Sequence, residues 1–595
     1  MVGGYAGTIL HVDLTNQKIE KRPIDFDDAR LFIGGRSYGA KWLWDNTKAG
    51  NDPLGPDNPL MFLTGPLTGM APGAAQTAVV GKSPATGTIG HAMTGAHWGA
   101  ELKFAGYDGI IFTGQSEKPV YLSINNDQVK LESADDLWGM STLETEQALK
   151  DKAGDVSARV LCIGPAGENL ILFASVNQEL FHSAARGGMG ALMGSKKLKA
   201  VVVRGTGKLV AVKPEAFMDI RKKVQQNFLD MRATTRRGYK LLRWGSTVSS
   251  VAHSDHSELD VRNYREAYWS EIDKVGGVAY ERKIAVKCRA CFSCPLCCHQ
   301  VGIIREGIFQ GYLVNIDFDN SGPLSSGILV DDLYAMSYLS RLADEMGMDG
   351  SSLGNVIGFA MECYENGVIS KKDLGGIDLT WGNADAALEL THKILKREEG
   401  VGWLLGQGAK RAAEALGHDS IRYAMQVKGL EFAGYAPQAH ADRALQYALG
   451  DRGGCHHYGL SLDDQNKRVW ADSLVACTWH HAFVKPAEYM EMLNYVTGWE
   501  YPMDEWLQYA DRMLLMARCY NLREGLVPEK DDILPARVHD DALTWGPKAG
   551  AAYSRERFAK EKLDWYQVRG CDEAGYPKLD SLEKLGIGFA YQKPV

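Results

Sequence analysis

The 595-residue sequence predicts an α+β fold: a β-rich N-terminal third followed by two mostly α-helical domains. Three observations carry that expectation. Period-two alternation and short β-branched runs dominate up to about residue 210. Apolar residues at helical spacing dominate after Val212. The 65 glycines lie well above the ~7% of an average chain and crowd the first third, where tight turns and close backbone approach are expected. The expected domains are 1–210, 211–417 and 418–595.

Taken in order, Gly7-Thr-Ile-Leu-His-Val-Asp-Leu14 alternates apolar and polar residues and reads as a strand. Val120–Ile124 and Gln128–Leu131 flank Asn125-Asn-Asp127, a hairpin signal. Arg159–Ile163 and Ala200–Arg204 read as buried strands. Pro214–Asp230 reads as a helix with proline in its first turn. Asp332–Met346 is a second helix, with Leu333, Met336, Leu339, Leu342 and Met346 along one face, and Ser352–Asn366 a third. Gly350 and Gly367 are expected C-caps. Ala386–Lys396 and Val401–Leu416 extend the helical run. Glycine and histidine return from Val427, and helices resume at Pro486.

A charged fraction of 24% and a hydrophobic fraction of 45% fit a globular chain. A net charge of −8 argues against non-specific nucleic-acid binding. The start, Met1-Val-Gly-Gly-Tyr5, has neither the basic nor the apolar segment of a signal peptide. The longest uncharged stretch, Asn58–Gly81, is broken by three prolines and spans no membrane. A cytoplasmic, oxygen-sensitive protein is expected.

Chemistry concentrates in Cys288-Arg-Ala-Cys291-Phe-Ser-Cys294-Pro-Leu-Cys297-Cys298, which holds five of the eleven cysteines. Thiolates this dense suit a soft metal, and Pro295 keeps the backbone out of regular helix so that sulfurs can converge. Three readings are open: an iron–sulfur cluster with a distant fourth thiolate, a zinc knuckle, or inert buried cysteines. The knuckle lacks a correctly spaced closing pair, because His299 adjoins Cys298, and the cluster is favoured. Two glycine loops follow. One is His182-Ser-Ala-Ala-Arg186-Gly-Gly-Met-Gly190, where backbone amides and an arginine suit a phosphate. The other runs from Gly65 to Gly99. Neither is a Walker or strand-flanked GxGxxG loop. Asp344-Glu-Met-Gly347-Met-Asp349 and Asp472-Ser-Leu-Val-Ala-Cys477 form a pair of similarly spaced hexapeptides.

Together these pieces resemble the aldehyde:ferredoxin oxidoreductase family of tungsten–pterin enzymes, in order and over essentially the whole chain. The family's Cys-x-x-Cys-x-x-x-Cys falls on Cys291, Cys294 and Cys298. Its two Asp-x-x-Gly-Leu-[Asp/Cys] motifs fall on the hexapeptides, which makes Cys477 the fourth cysteine. The resemblance implies a [4Fe–4S] cluster on Cys291, Cys294, Cys298 and Cys477. It also implies tungsten, or molybdenum in its place, held as a tungsten bis-pyranopterin (tungstopterin) with Mg2+ bridging the phosphates. The matched pterin segments hold Thr94, Gly95 and Ala96, then Arg186, Gly187, Gly188 and Gly190. The matched motifs contribute Asp344, Gly347, Asp349 and Asp472. The family's Glu and His near the metal are matched by Asp319 and His456, with His457 a close competitor, and are expected to move protons.

Three departures stand out. Asp319 is one methylene shorter than Glu, Gln76 stands where the family often has Arg, and Val475 replaces a motif glycine. The implied activity is oxidation of a small-molecule aldehyde to its carboxylate, with electrons passing to ferredoxin or an iron–sulfur partner subunit. The alternative is the catalytic subunit of a class II benzoyl-CoA reductase-like complex, reducing aryl or enoyl CoA-thioesters. In that branch a Cys replaces the acid of the Asp317–Asp319 segment, so the retained carboxylate favours the aldehyde. A third reading, an electron-relay subunit without its metal, is opposed by the intact pterin loops. A homodimer or hetero-oligomer is expected.

Overall fold

The computed structural model of the chain describes residues 2–481 and 483–593. Two six-stranded sheets form its N-terminal part. In the first, Thr8–Asp13 pairs antiparallel with Lys18–Pro23 and parallel with Gly109–Thr113. Leu60–Leu63, Thr77–Lys82 and Ile89–Thr94 complete it. In the second, the expected hairpin forms between Val120–Asn125 and Gln128–Ser133. Val120–Asn125 also pairs parallel with Leu198–Arg204, which pairs antiparallel with Arg159–Cys162. Val176–Gln178 and His182–Ala184 end this sheet. Side chains from both sheets, among them Leu10, Phe62, Phe112, Leu122 and Val201, form one apolar core with Trp98. Burying such faces is the main stabilising term for the sheets. The strand-rich reading missed the helices here, including Gly35–Asn46 and Thr142–Ala153.

The rest of the described chain is largely helical. Pro214–Thr234 starts with proline in its first turn, as expected. Leu333–Met346 and Gly350–Glu365 bury most of their side chains in a second core. The carboxylates of Asp332 and Asp349 accept the first backbone N–H groups of these helices, a cap worth about 1 kcal/mol each. One expectation needs correction. Gly350 does not cap Leu333–Met346; Gly347 does, at φ +77°, and Gly350 opens the next helix behind Asp349. Gly367, at φ +71°, follows Gly350–Glu365 as expected. The run Val401–Leu416 is two helices, Val401–Leu405 and Ala409–Leu416, parted at Gly406–Gly408. Three helices between Val427 and Pro486 went unread: Ala441–Leu449, Leu462–Ser473 and the short Thr478–His481. Among the described residues no helix is long and apolar enough to cross a membrane.

The two hexapeptides each dock on one sheet. The Gly347 carbonyl accepts from Ser175 N–H at 2.9 Å, and Asp349 N–H donates to the Phe173 carbonyl at 2.9 Å, both beside the second sheet. A Cβ on Gly347 would stand 2.8 Å from Gly164 N, so that approach requires glycine. The second hexapeptide lies on loops of the first sheet. Gln76 N–H donates to the Val475 carbonyl at 3.3 Å and Cys477 N–H to the Gly73 carbonyl at 3.1 Å. A Cβ on Gly35 or Gly65 would collide with the Asp472 or Leu474 carbonyl.

Candidate active site

The cysteine loop joins two antiparallel strands, Ala285–Arg289 and His299–Ile303. It is pinned to the Thr94–Ala96 turn, where Phe292 N–H donates to the Ala96 carbonyl at 3.0 Å. Arg221 bonds Ser293 Oγ at 3.2 Å and Arg232 holds the Pro295 carbonyl at 2.5 Å, which fixes the loop from a helix on its other side. Cys477 enters from the start of the short helix Thr478–His481. Cys291, Cys294, Cys298 and Cys477 line one pocket of ≈ 180 Å³. Burial pushes all four thiols up, Cys291 to about 12, and the neighbouring sulfurs push Cys291, Cys298 and Cys477 further. Four thiols that burial holds protonated lose that cost when they bind a soft cation, so the donor set fits an iron–sulfur cluster. Cys288 and Cys297 do not line this pocket. Their sulfurs lie 2.9 Å from each other.

A second, polar cavity of ≈ 840 Å³ adjoins the first, and Cys477, Gln76 and Asp317 line both. Arg186, Asp319, Asp344, Asp349, His456 and Asp472 line it. Arg186 donates to the Glu431 and Gly454 carbonyls and lies 3.4 Å from Asp349. Asp472 pairs with buried Arg36 at 3.1 Å, and Arg36 also pairs with Asp451 at 2.5 Å. Asp344 lies 3.4 Å from Ser183 Oγ, and burial lifts its carboxyl to about 8. Several buried atoms here have no hydrogen-bond partner in the protein: Arg186 Nη1, Asp319 Oδ1, Asp344 Oδ2, His456 Nδ1, Asp472 Oδ1 and Gln76 Oε1. Each such group costs about 1–3 kcal/mol left unpaired. The cavity is therefore built for a large polar ligand, and its residues fit a pterin cofactor.

The glycines of the other predicted segments do not line the large cavity. Gly187, Gly188 and Gly190 open the helix Met189–Ser195, where a Cβ on Gly188 or Gly190 would strike the Leu172 or Ser175 carbonyl. Gly95 faces the thiol pocket, and a Cβ there would stand 2.9 Å from Cys291 Sγ. Thr94 Oγ1 accepts from Gln178 Nε2 at 3.3 Å.

On the far wall, Asp319 sits in the turn Phe318–Ser321 and His456 in the turn His456–Tyr458. His456 Nε2 lies 3.4 Å from Asp319 Oδ2. One ligand atom each of Asp319, His456 and His457 falls within 4.8 Å of the other two. Burial, then the Asp317 carboxylate, lifts Asp319 to about 7. Burial, then His457, holds His456 far below its ordinary value, so the ring is neutral. Sequence reasoning missed several neighbours. Asp317 is held by Ser246, Arg443 lies 4.2 Å over the Tyr435 ring, and the Tyr435 ring stands 5.3 Å from His456. The Arg36–Asp451–His91 network was missed too. Asp317 carried a signal, as the partner acid of the Asp317-Phe318-Asp319 segment, and so did Asp451, in the family-like segment Asp451-Arg-Gly-Gly-Cys-His456.

Family models match this architecture from end to end. One described as the aldehyde ferredoxin oxidoreductase N-terminal domain matches residues 9–205, and one described as domains 2 and 3 matches 219–587. The chain belongs to the aldehyde ferredoxin oxidoreductase family. It is an oxidoreductase, and its relatives include tungsten-containing enzymes. The tungsten-containing aldehyde ferredoxin oxidoreductase of Pyrococcus horikoshii is 34% identical over 615 residues, 98% of this chain and 99% of that protein. The WOR-like subunit of the aliphatic sulfonate oxidoreductase of Pyrococcus furiosus is 34% identical over 625 residues, covering 98% and 97%. A solved structure titled as the active site complex BamBC of benzoyl coenzyme A reductase with 1,5-dienoyl-CoA superposes with a TM-score of 0.85. It shares 26% identity and covers 99% of this chain and 98% of that one.

Within this family, two departures acquire a physical reading. Val475 takes φ +58°, the left-handed conformation that Gly347 takes at the matching place in the first hexapeptide. A β-branched residue is strained there. Gly35 and Gly65 leave room for its side chain, since a Cβ on either would stand within 3.2 Å of Val475 Cγ2. Gln76 borders both cavities, with its Oε1 unpaired.

Proposed function

We propose that this chain oxidises an aldehyde to its carboxylate, RCHO + H2O → RCOO− + 3 H+ + 2 e−. Cys291, Cys294, Cys298 and Cys477 would hold a [4Fe–4S] cluster, which would supply one-electron transfer to ferredoxin or an iron–sulfur partner subunit. The observation that carries this reading is the carboxylate–imidazole pair in a polar cavity that shares Cys477 with the four-thiol pocket. A tungsten bis-pyranopterin, when bound, supplies the two-electron chemistry. Arg186, Asp344, Asp349 and Asp472, which line the cavity, would hold it together with Mg2+. Ionised Asp319 accepts a proton released from the aldehyde and its attacking water. The neutral His456 ring, held beside it, positions the carboxylate. Arg443 and Tyr435 back the pair and limit its movement.

Asp319 then dictates the pH dependence. Its raised value keeps the carboxyl protonated up to about pH 7, so the base form grows with rising pH. We expect kcat/KM for aldehyde oxidation to rise about tenfold per unit below that point and to level off above it. A flat profile between about pH 5 and 9 would remove Asp319 as the base.

The structural likeness to the BamBC chain supports a second reading, reduction of an aryl or enoyl CoA-thioester with Asp319 as the acid. The retained carboxylate at 319 favours the aldehyde. Anaerobic assays decide between them: aldehyde-dependent viologen reduction supports the first, and activity confined to aryl-CoA thioesters supports the second.

A further inference from the structure

Two imidazoles that the reaction above does not use lie against the thiols of the four-cysteine pocket. His480 Nε2 lies 3.3 Å from Cys294 Sγ, and His182 Nε2 lies 3.6 Å from Cys291 Sγ. They come from opposite sides. His182 opens the strand His182–Ala184 at the edge of the second sheet, and His480 belongs to the helix turn that follows Cys477.

Both rings are built in rather than resting there by chance. The His182 ring stacks on His299, centroids 4.3 Å apart and planes 17° apart. Its other edge reaches Gly95, where a Cβ would stand 3.1 Å from His182 Cδ2. The fully buried His480 lies 4.4 Å from the Phe228 ring. It also lies against Gly73, where a Cβ would come within 1.7 Å of its Cε1. Glycine at 73 and at 95 thus makes the space each imidazole occupies. His182 Nδ1 is buried without a hydrogen-bond partner. A proton placed there would be stranded, so the single N–H of the neutral ring belongs on Nε2, facing the sulfur.

We propose that His182 and His480 donate N–H···S hydrogen bonds to Cys291 and Cys294 and thereby set the reduction potential of the cluster. This rests on the cluster reading given above. A donor aimed at a ligating sulfur stabilises the more negative, reduced cluster more than the oxidised one, and so raises the potential. Because the two rings address different sulfurs, their effects add. Both are positioning residues: they touch the sulfur ligands and no substrate atom.

The test is an EPR-monitored redox titration of the anaerobically purified full-length protein, with iron counted in every sample. His182→Phe and His480→Phe keep the ring packing and delete the donor. Each is expected to shift the oxidised-to-reduced ratio at fixed potential about tenfold, a midpoint lower by about 59 mV for one electron, and the double variant by the sum. His480→Gln, whose amide nitrogen reaches the same place, is expected to recover most of the shift. Phe variants that hold full iron and titrate at the wild-type midpoint overturn the proposal. If a Phe variant loses iron, the wild type decides: protein labelled with 15N-histidine should show weak nitrogen coupling to the reduced cluster by pulsed EPR, and no coupling overturns it. Wild-type protein without iron overturns the cluster reading itself, a failure distinct from that of the two histidines.

Discussion

Cys477→Ala is expected to strip the cluster from the protein: iron falls from about four atoms per chain to below about one, and electron output ceases. Cys477 is the single ligand that reaches the thiol pocket from the second hexapeptide, and it also lines the polar cavity. Its loss opens a corner of the pocket and leaves the other three thiols, each pushed up by burial, without the cation that offsets their desolvation. Cys288→Ala is the matched control. Cys288 lies against Cys297 and not in the pocket, so iron and activity should both persist. Colorimetric iron assay and EPR of the dithionite-reduced proteins read the difference. Iron lost from Cys288→Ala and kept by Cys477→Ala would mean that the ligand set is shifted along the loop.

The second large effect is catalytic. Asp319→Asn should lower kcat/KM for aldehydes by ~10²–10⁴, the usual contribution of a positioned acid–base group, with tungsten and iron contents unchanged. The asparagine cannot titrate, so the limb near pH 7 should vanish with the activity. Asp319→Glu keeps the charge and adds one methylene, and should retain most of the rate. His456→Phe removes the nitrogen 3.4 Å from the carboxylate and should slow the reaction by a smaller factor. Asp319→Asn with wild-type kcat/KM and full metal would move proton transfer to another group, and Asp317 is another acid in that wall.

What could be read from the sequence follows from how locally each feature is encoded. The strand hairpin at 120–133 and the helix that starts at Pro214 are written in short-range periodicity, and they formed where expected. The cysteine loop is equally local, because three sulfurs within eight positions signal a metal without any fold. Cys477 lies 179 residues from Cys298, and only the family resemblance joined them. The helix Leu462–Ser473 escaped because charged residues interrupt its apolar face. Gly350 was misassigned as a cap because Gly347, three residues earlier, already ends the helix. Asp472 was named by its hexapeptide, but its pairing with Arg36, and through Arg36 with Asp451, left no trace in any pattern. These are buried polar residues drawn from three distant segments, and burial of a polar group is decided by its partners rather than by its neighbours in sequence.

The proposed chemistry depends on a heavy-metal centre beside an iron–sulfur cluster. Elemental analysis of protein made and purified without oxygen tests that most directly. The account predicts about one tungsten and about four irons per chain, with no stoichiometric zinc. Zinc alone, with neither tungsten nor molybdenum, would contradict it.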